Sequence, residues 1–281
     1  MRIIGITGQA GSGKDEIAGR FVKNHDYVQL SLADPMKRFG LNVFGFDVIQ
    51  LWGPSSARNM FDPGFNECSI RSSQMTFEPG CSMSNIAKHC DPGWADAAVR
   101  LTQYAPGFVS ELVREPAAKT EALNMLYFWF GSLGHHYPEL SPRIMLQSLG
   151  TEWGREVCGD DVWINQVINS AERVLNGEVY EREVGFLNAE RDRPHTGVVV
   201  SDVRFNNELH AIKAAGGKIV KVTRATADKK AKKLGIVGHA SEAEQKEFTA
   251  DMFDAVLANE GTLPELYKAV DVLAAAYKGL K

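Results

Sequence analysis

Ile3-Ile4-Gly5-Ile6-Thr7-Gly8-Gln9-Ala10-Gly11-Ser12-Gly13-Lys14-Asp15-Glu16 opens with an apolar run that breaks into glycine and then reaches a lysine. Ile3 to Thr7 reads as a short buried strand, and Asp15 to Lys23 as a helix with Ile17, Ala18 and Phe21 on one face. Between them, Gly8 to Lys14 fits the G-x-x-x-x-G-K phosphate loop. The strand before it and the helix after it make the match specific. Backbone N–H groups turn inward around a phosphate only where side chains do not obstruct them. The helix adds the positive end of its dipole, and the Lys14 ammonium reaches the outer phosphates. Gly8, Ala10, Gly11, Ser12, Gly13 and Lys14 are therefore expected to hold ATP.

A Ser or Thr that binds magnesium usually follows this lysine, and here Asp15 and Glu16 follow. At about 5 Å and an effective dielectric near 20, a carboxylate and a phosphate charge repel by roughly 3 kcal/mol. Asp15 is accordingly expected to support a magnesium ion, with Glu16 beside it in the first helical turn.

Further strands and helices alternate outward from this loop. Tyr27 to Leu32 reads as a strand, and Asp34-Pro35 starts a helix. Gly197-Val198-Val199-Val200-Ser201-Asp202 is the strongest buried-strand signal. A helix over Asn207 to Ala215 follows, then strands over Lys218 to Thr223 and Ala255 to Ala258, and a capping box at Thr262-Leu263-Pro264-Glu265. The alternation predicts a three-layer α/β fold, a parallel sheet flanked by helices. From Gly45 to Ala105 the pattern thins around Gly53-Pro54, Asp62-Pro63-Gly64, Glu78-Pro79-Gly80 and Asp91-Pro92-Gly93. That stretch reads as an insertion packed on the core. Helical pattern returns between Phe108 and Tyr127, from Ser141-Pro142, and from Trp163 to Leu175, while Asn176 to Thr196 reads as a polar surface connection. The expected organisation is a core in two parts, 1–44 and 141–281, with an acceptor-binding insertion over 45–140 and a lid near 225–245. Lys229-Lys230-Ala231-Lys232-Lys233 is either a solvated helix face or part of that lid.

The chain has 281 residues, 44% hydrophobic and 23% charged, and a net charge of −4, so its summed field does not attract nucleic acid. A small phosphorylated substrate fits better. Cys68, Cys81, Cys90 and Cys158 form no C-x-x-C pair, and Cys81, His89 and Cys90 do not complete a zinc set. Reduced thiols, and an N-terminal apolar run too short to span a bilayer, point to the cytoplasm.

Asp202 stands at the strand edge where open parallel sheets bind ligands, with Arg204 and Glu208 close behind. Asp202 could hold magnesium or cap the next helix, and both readings stay open. Transfer between two phosphorylated molecules must neutralise crowded negative charge. Arg38, Arg143, Arg155, Arg204 and Arg224 are the candidates, with two or three of them expected to clamp phosphate. No general base is needed, because a monophosphate is already largely ionised near neutral pH. Trp153 and Trp163 could stack on a base or fill the core.

The phosphate loop, Leu32-Ala33-Asp34-Pro35-Met36-Lys37, Arg143 to Thr151, Asp161-Val162-Trp163, Val200 to Glu208, His239-Ala240-Ser241-Glu242 and Asn259-Glu260-Gly261-Thr262-Leu263 resemble bacteriophage deoxynucleoside monophosphate kinases. The resemblance leaves out the stretch from about Gly45 to Tyr137. It implies an adenylate-kinase-like P-loop kinase fold, ATP with magnesium as donor, and deoxynucleoside monophosphates as acceptors in DNA precursor synthesis. It further implies Lys14 on the donor phosphates, Asp34, Arg38, Arg143, Gln147 and Trp163 around the acceptor, and Asp202 with Arg204 at the reacting phosphates. Arg143 is thereby counted with Lys14, Asp202 and Arg204 as catalytic. Glu208 joins the acceptor group, Arg224 the ATP group, and Asp15 and Asp202 the metal ligands. Glu16 departs from the Thr that relatives often carry. Kinases of the dephospho-coenzyme A or phosphomevalonate type, and an ATP-binding switch protein, remain as alternatives, and a homodimer stays open.

Overall fold

The computed structural model describes residues 2–9, 11–65, 91–137, 139–225 and 248–278. Ala10, Cys68, Cys81, His89, Cys90, the Lys229 to Lys233 run and nearly all of the expected lid lie outside these residues. Along the chain come β1 (Ile3–Thr7), α1 (Lys14–His25), β2 (Tyr27–Leu30), α2 (Asp34–Phe39), α3 (Val48–Trp52), α4 (Ser55–Asn59), α5 (Pro92–Leu112), α6 (Pro116–His136), α7 (Pro142–Ser148) and α8 (Val162–Leu175). After them follow β3 (Glu178–Glu181), β4 (Gly185–Glu190), β5 (Gly197–Val203), α9 (Asn206–Ala214), β6 (Lys218–Thr223), β7 (Ala255–Ala258) and α10 (Leu263–Lys278). The chain forms two compact units, one of residues 1–32 with 167–281 and one of residues 33–166. The second unit is wider at both ends than the 45–140 insertion read from the sequence, because it takes in α2 and α7.

In the first unit five parallel strands lie in the order β2-β5-β1-β6-β7. β1 is central, with Ile4 opposite Val199 of β5 and Lys218 of β6. Every residue of β1 is buried, as is β5 from Gly197 to Ser201. A strand covered on both faces needs an unbroken apolar run, which is what both sequences supply. On one face Ile4, Ile6, Val199, Val220 and Val222 pack with Ile17 and Phe21 of α1 and with Leu266, Val270 and Ala274 of α10. On the other, Ile212 of α9 sits so close to Gly5 that a Cβ there would lie 2.8 Å from its Cδ1. Helices on both faces of a parallel sheet make the expected three layers. Parallel pairing also brings the ends of all five strands to one edge, where the loops that meet ligands belong.

Asp271 of α10 binds α1, accepting from Arg20 at 2.9 and 2.6 Å and meeting His25 at 2.7 Å. Glu265 accepts from the Thr262 N–H at 2.7 Å and its hydroxyl at 2.9 Å, so the predicted cap opens α10. The polar stretch after Asn176 is not a plain connection: β3 and β4 form an antiparallel hairpin. Tyr180 stands across from Phe186 with ring centroids 5.6 Å apart, and the Arg173 guanidinium lies 3.7 Å from the Phe186 centroid. The cross-strand aromatic pair and the cation from α8 together outweigh the local polarity.

The second unit has an aromatic core in which Trp94 meets Phe65 edge-on at 5.1 Å and Phe44 stacks on Phe46 at 5.5 Å. The helical pattern between Phe108 and Tyr127 belongs to two helices of 21 residues, α5 and α6. They break where Glu115 accepts from the Ala118 N–H at 2.6 Å and Pro116 takes the first turn. α2 continues into a π-type stretch, Gly40–Phe44, and α7 into another, Leu149–Arg155.

Arg20 and then His25 pull the Asp271 carboxyl down from 3.8 to about 2. A carboxyl held lower in the folded chain stabilises it above the unfolded value and loses that contribution as the pH falls through the folded one. Asp271→Asn is expected to melt below the parent protein at neutral pH. Its melting temperature, followed by circular dichroism, should also fall less steeply than the parent's between about pH 4 and pH 2, the interval set by those two values.

Candidate functional site

β1 ends at Thr7 and the chain turns at once, with φ of 150° at Gly8, 79° at Gly11 and 101° at Gly13. A Cβ on Gly8 would lie 2.4 Å from the Val222 carbonyl oxygen, and one on Gly13 would lie 2.4 Å from Asn259 Nδ2. The first contact is with backbone that cannot swing aside. α1 then starts at Lys14 without a side-chain cap, which leaves its first N–H groups for a ligand. Lys14 Nζ folds over the loop, donating to the Gly8 carbonyl at 2.5 Å and the Gln9 carbonyl at 2.8 Å. The hydroxyls of Thr7 and Ser12 are buried and have no hydrogen-bond partner among the described residues. Buried polar groups are nearly always paired, so two orphans at one loop fit a site that receives an acceptor-rich ligand.

The electrostatics fit the same ligand. Burial, and then the nearby Arg204 charge, lower the Lys14 pKa from 10.5 to about 8, with Asp15 and Asp202 opposing the shift. Two cations are thus held close at one loop, an arrangement that a bound anion relieves. Arg204 is exposed just beyond β5. Glu208, buried in the first turn of α9, fixes the backbone there by accepting from the Arg204 N–H at 2.7 Å and the Phe205 N–H at 3.0 Å. One oxygen of its carboxylate, Oε2, is thus taken by the chain's own backbone at the start of α9. Asp202 joins the end of β5 to the segment after β2, accepting from Ser31 Oγ at 2.6 Å and the Leu32 N–H at 3.1 Å. Asp15 is exposed in the first turn of α1, whereas Glu16 accepts from the Tyr267 hydroxyl at 3.0 Å and so ties α1 to α10. Arg224 is exposed after β6, at the same sheet edge.

The second unit carries the residues assigned to an acceptor. Asp34 is buried on α2, accepting from Trp52 Nε1 at 3.0 Å and lying 4.0 Å from Lys37 Nζ. Arg38, one turn on, is buried beside Tyr104, whose pKa is pushed up to about 12 by burial while the Arg38 charge opposes the rise. α7 packs against this segment, with Met145 over Gly40 and Met36 against Gly150. Arg143 in the first turn of α7 donates to Asn59 Oδ1, and Gln147, four residues later, is exposed. Trp163 is a core residue: it is 5% exposed, donates to the Gly150 carbonyl at 2.9 Å, and leaves no room for a Cβ on Gly154. Trp153 is likewise buried, donating to the Ala122 carbonyl at 2.9 Å, and Arg155 pairs with Asp160 at 3.1 Å.

The first unit thus gathers Lys14, Asp15, Asp202 and Arg204 at the glycine loop between β1 and α1. The second carries Asp34, Arg38, Arg143 and Gln147 on two adjacent helices. Sequence reasoning gave no role to Ser31, which meets Asp202, or to Asn259, which donates to the Ser12 carbonyl at 2.8 Å. Their signal was position, since each immediately follows a strand that ends at the loop edge.

No protein-family model matches the chain. Over 145 residues it is 29% identical to a protein of Acanthamoeba polyphaga mimivirus provisionally named a deoxynucleotide monophosphate kinase. The match covers 50% of this chain and 61% of that protein.

Two outcomes test the loop. Gly8→Ala is expected to lower the unfolding free energy by about 2 to 4 kcal/mol in urea titrations, from the left-handed strain and the backbone clash together. In NMR titrations of 13Cε-labelled lysine, Lys14 should titrate near 8 in the parent protein and move up toward 10.5 in Arg204→Ala.

Proposed function

We propose that the chain is a kinase that transfers the γ-phosphate of ATP to a deoxynucleoside monophosphate, giving the diphosphate and ADP. The observation that carries this reading is the desolvated Lys14 ammonium, held beside Arg204 over a loop where the Thr7 and Ser12 hydroxyls have no partner among the described residues. That arrangement suits a polyphosphate better than a single charge. The resemblance to phage enzymes, together with the named viral relative, supports a deoxynucleoside monophosphate as the acceptor. Kinases of other phosphorylated small molecules would share the first unit, so the acceptor is the part that needs its own test.

In this reading the loop N–H groups and Lys14 bind the β- and γ-phosphates. An oxygen of the acceptor's phosphate attacks the γ-phosphorus, the bond to the β–γ bridging oxygen breaks, and the electron pair leaves with ADP. The nucleophile is already ionised, so no side chain takes a proton. Arg204 meets charge on the group in flight, and the Glu208 carboxylate fixes the backbone that carries it. Magnesium, arriving with the triphosphate, would neutralise charge on the β- and γ-oxygens. Asp15 is an exposed carboxylate able to hold it, and Asp202 is the second carboxylate at this edge. On the second unit Arg38, Arg143 and Gln147 bind the acceptor. Such a reaction belongs in the host cytoplasm, supplying DNA precursors. Among the described residues no helix is long and apolar enough to cross a membrane.

The test is ADP formation by the purified protein with ATP, magnesium and one candidate acceptor at a time: each deoxynucleoside monophosphate, each ribonucleoside monophosphate, dephospho-coenzyme A and phosphomevalonate. Turnover should depend on a deoxynucleoside monophosphate. Lys14→Ala and Arg204→Ala should each lower kcat by about two to five orders of magnitude, as for comparable groups that meet transition-state charge. Turnover with another acceptor alone would reassign the substrate, and acceptor-independent hydrolysis would remove the kinase reading.

A further inference from the structure

The turn that follows β7 is fastened on several sides. The Asn259 N–H donates to the Thr223 carbonyl at 2.8 Å, and Glu260 accepts from the Ala225 N–H at 2.6 Å, so the turn is joined to the end of β6. Thr262 and Glu265 then start α10. From this anchored base the Asn259 side chain, 8% exposed, reaches across to donate Nδ2 to the Ser12 carbonyl at 2.8 Å, 247 residues away in sequence. Gly13 at φ 101° leaves room for that amide, since a Cβ on Gly13 would lie 2.4 Å from Nδ2.

The bond fixes more than one carbonyl. In a planar trans peptide the C=O and the following N–H point in opposite directions, and no cis peptide bond occurs among the described residues. Holding the Ser12 oxygen toward Asn259 therefore directs the Gly13 N–H away from it, toward the inside of the loop. We infer that Asn259 is a positioning residue of the phosphate loop, setting the Ser12–Gly13 peptide plane so that the Gly13 N–H meets the triphosphate. The inference rests on ATP being the ligand of this loop, as proposed above. It adds that the affinity of the loop is set in part from the far end of the chain, by a residue that touches backbone and not phosphate.

Isothermal calorimetry with magnesium and ATP, followed by steady-state kinetics, tests it on the full chain. Parent protein that takes up no ATP would overturn the proposed ligand itself. If the parent binds, Asn259→Ala should raise the Kd and the KM for ATP by about 10- to 100-fold, the range for losing a donor to a charged group. Its kcat at saturating ATP and its KM for the acceptor should change by less than about fivefold, the pattern of lost uniform binding. Unchanged ATP affinity in a folded variant would overturn the inference alone, as would equal losses in kcat and in both KM values. Asn259→Asp keeps the shape and adds a readout that general destabilisation does not move. As a carboxylate it cannot donate to the Ser12 carbonyl, whereas its protonated form can. ATP affinity relative to the parent should therefore recover as the pH is lowered toward about 5, where a buried carboxyl takes up its proton. If Asn259→Ala does not fold, this recovery decides the matter, and its absence overturns the inference.

Discussion

The loop between β1 and α1 is walled at two of its glycines, Gly8 and Gly13, where a side chain has no room. The Val222 carbonyl closes against Gly8 and the Asn259 amide against Gly13. The walls belong to β6 and to the turn after β7, which reach the loop only because every strand of the main sheet runs the same way. Lys14 is desolvated because it is folded into that narrow space, and Arg204 lies near enough to depress it further because β5 flanks β1. The cation pair, the orphan hydroxyls and the parallel register are thus one arrangement seen at three scales. Loosening the register would disperse all of it.

Much of the first unit was legible in the sequence because its signals are local and agree with one another. An apolar run ending in Gly8, another ending in Asp202, and Thr262 with Glu265 each specify their own geometry. The hairpin escaped notice because charged Glu178, Glu181, Arg182, Glu183 and Glu190 swamp a weak alternation, and the contact that settles it pairs Tyr180 with Phe186 across the turn. In the second unit Pro106 and Gly107 look like a stop, yet α5 runs through both. A proline inside a helix costs about 3 kcal/mol or more, and the buried face of Trp94, Leu101, Phe108 and Val109 offsets it. No local rule reports that balance.

For the site, the sequence placed charges better than it assigned their work. Lys14 and Arg204 meet as a strand-edge reading would have them. Glu208 is instead taken by two N–H groups of its own turn, a role hidden because its partner position is Phe205 and not Ser or Thr. Trp163 is enclosed by Gly154, nine positions earlier, and a missing side chain is a faint signal for a packed indole. Asn259 gives no local sign of its role, since its bond spans nearly the whole chain.

The strand order has a temporal side. β1 and β2 are synthesised well before β5, which is the neighbour of both, and before β6, which completes β1, so neither strand can pair until residues 197–223 exist. At about 5 to 20 residues per second on the ribosome, some 200 residues of delay is roughly 10 to 40 seconds. For that interval Ile3–Thr7, apolar up to its last residue, has no sheet to join, while residues 33–166 are already made and free to collapse on their own aromatic core. Until then the strand is an unsatisfied adhesive segment, and the glycine loop after it cannot be walled until β6 and the turn after β7 have been made.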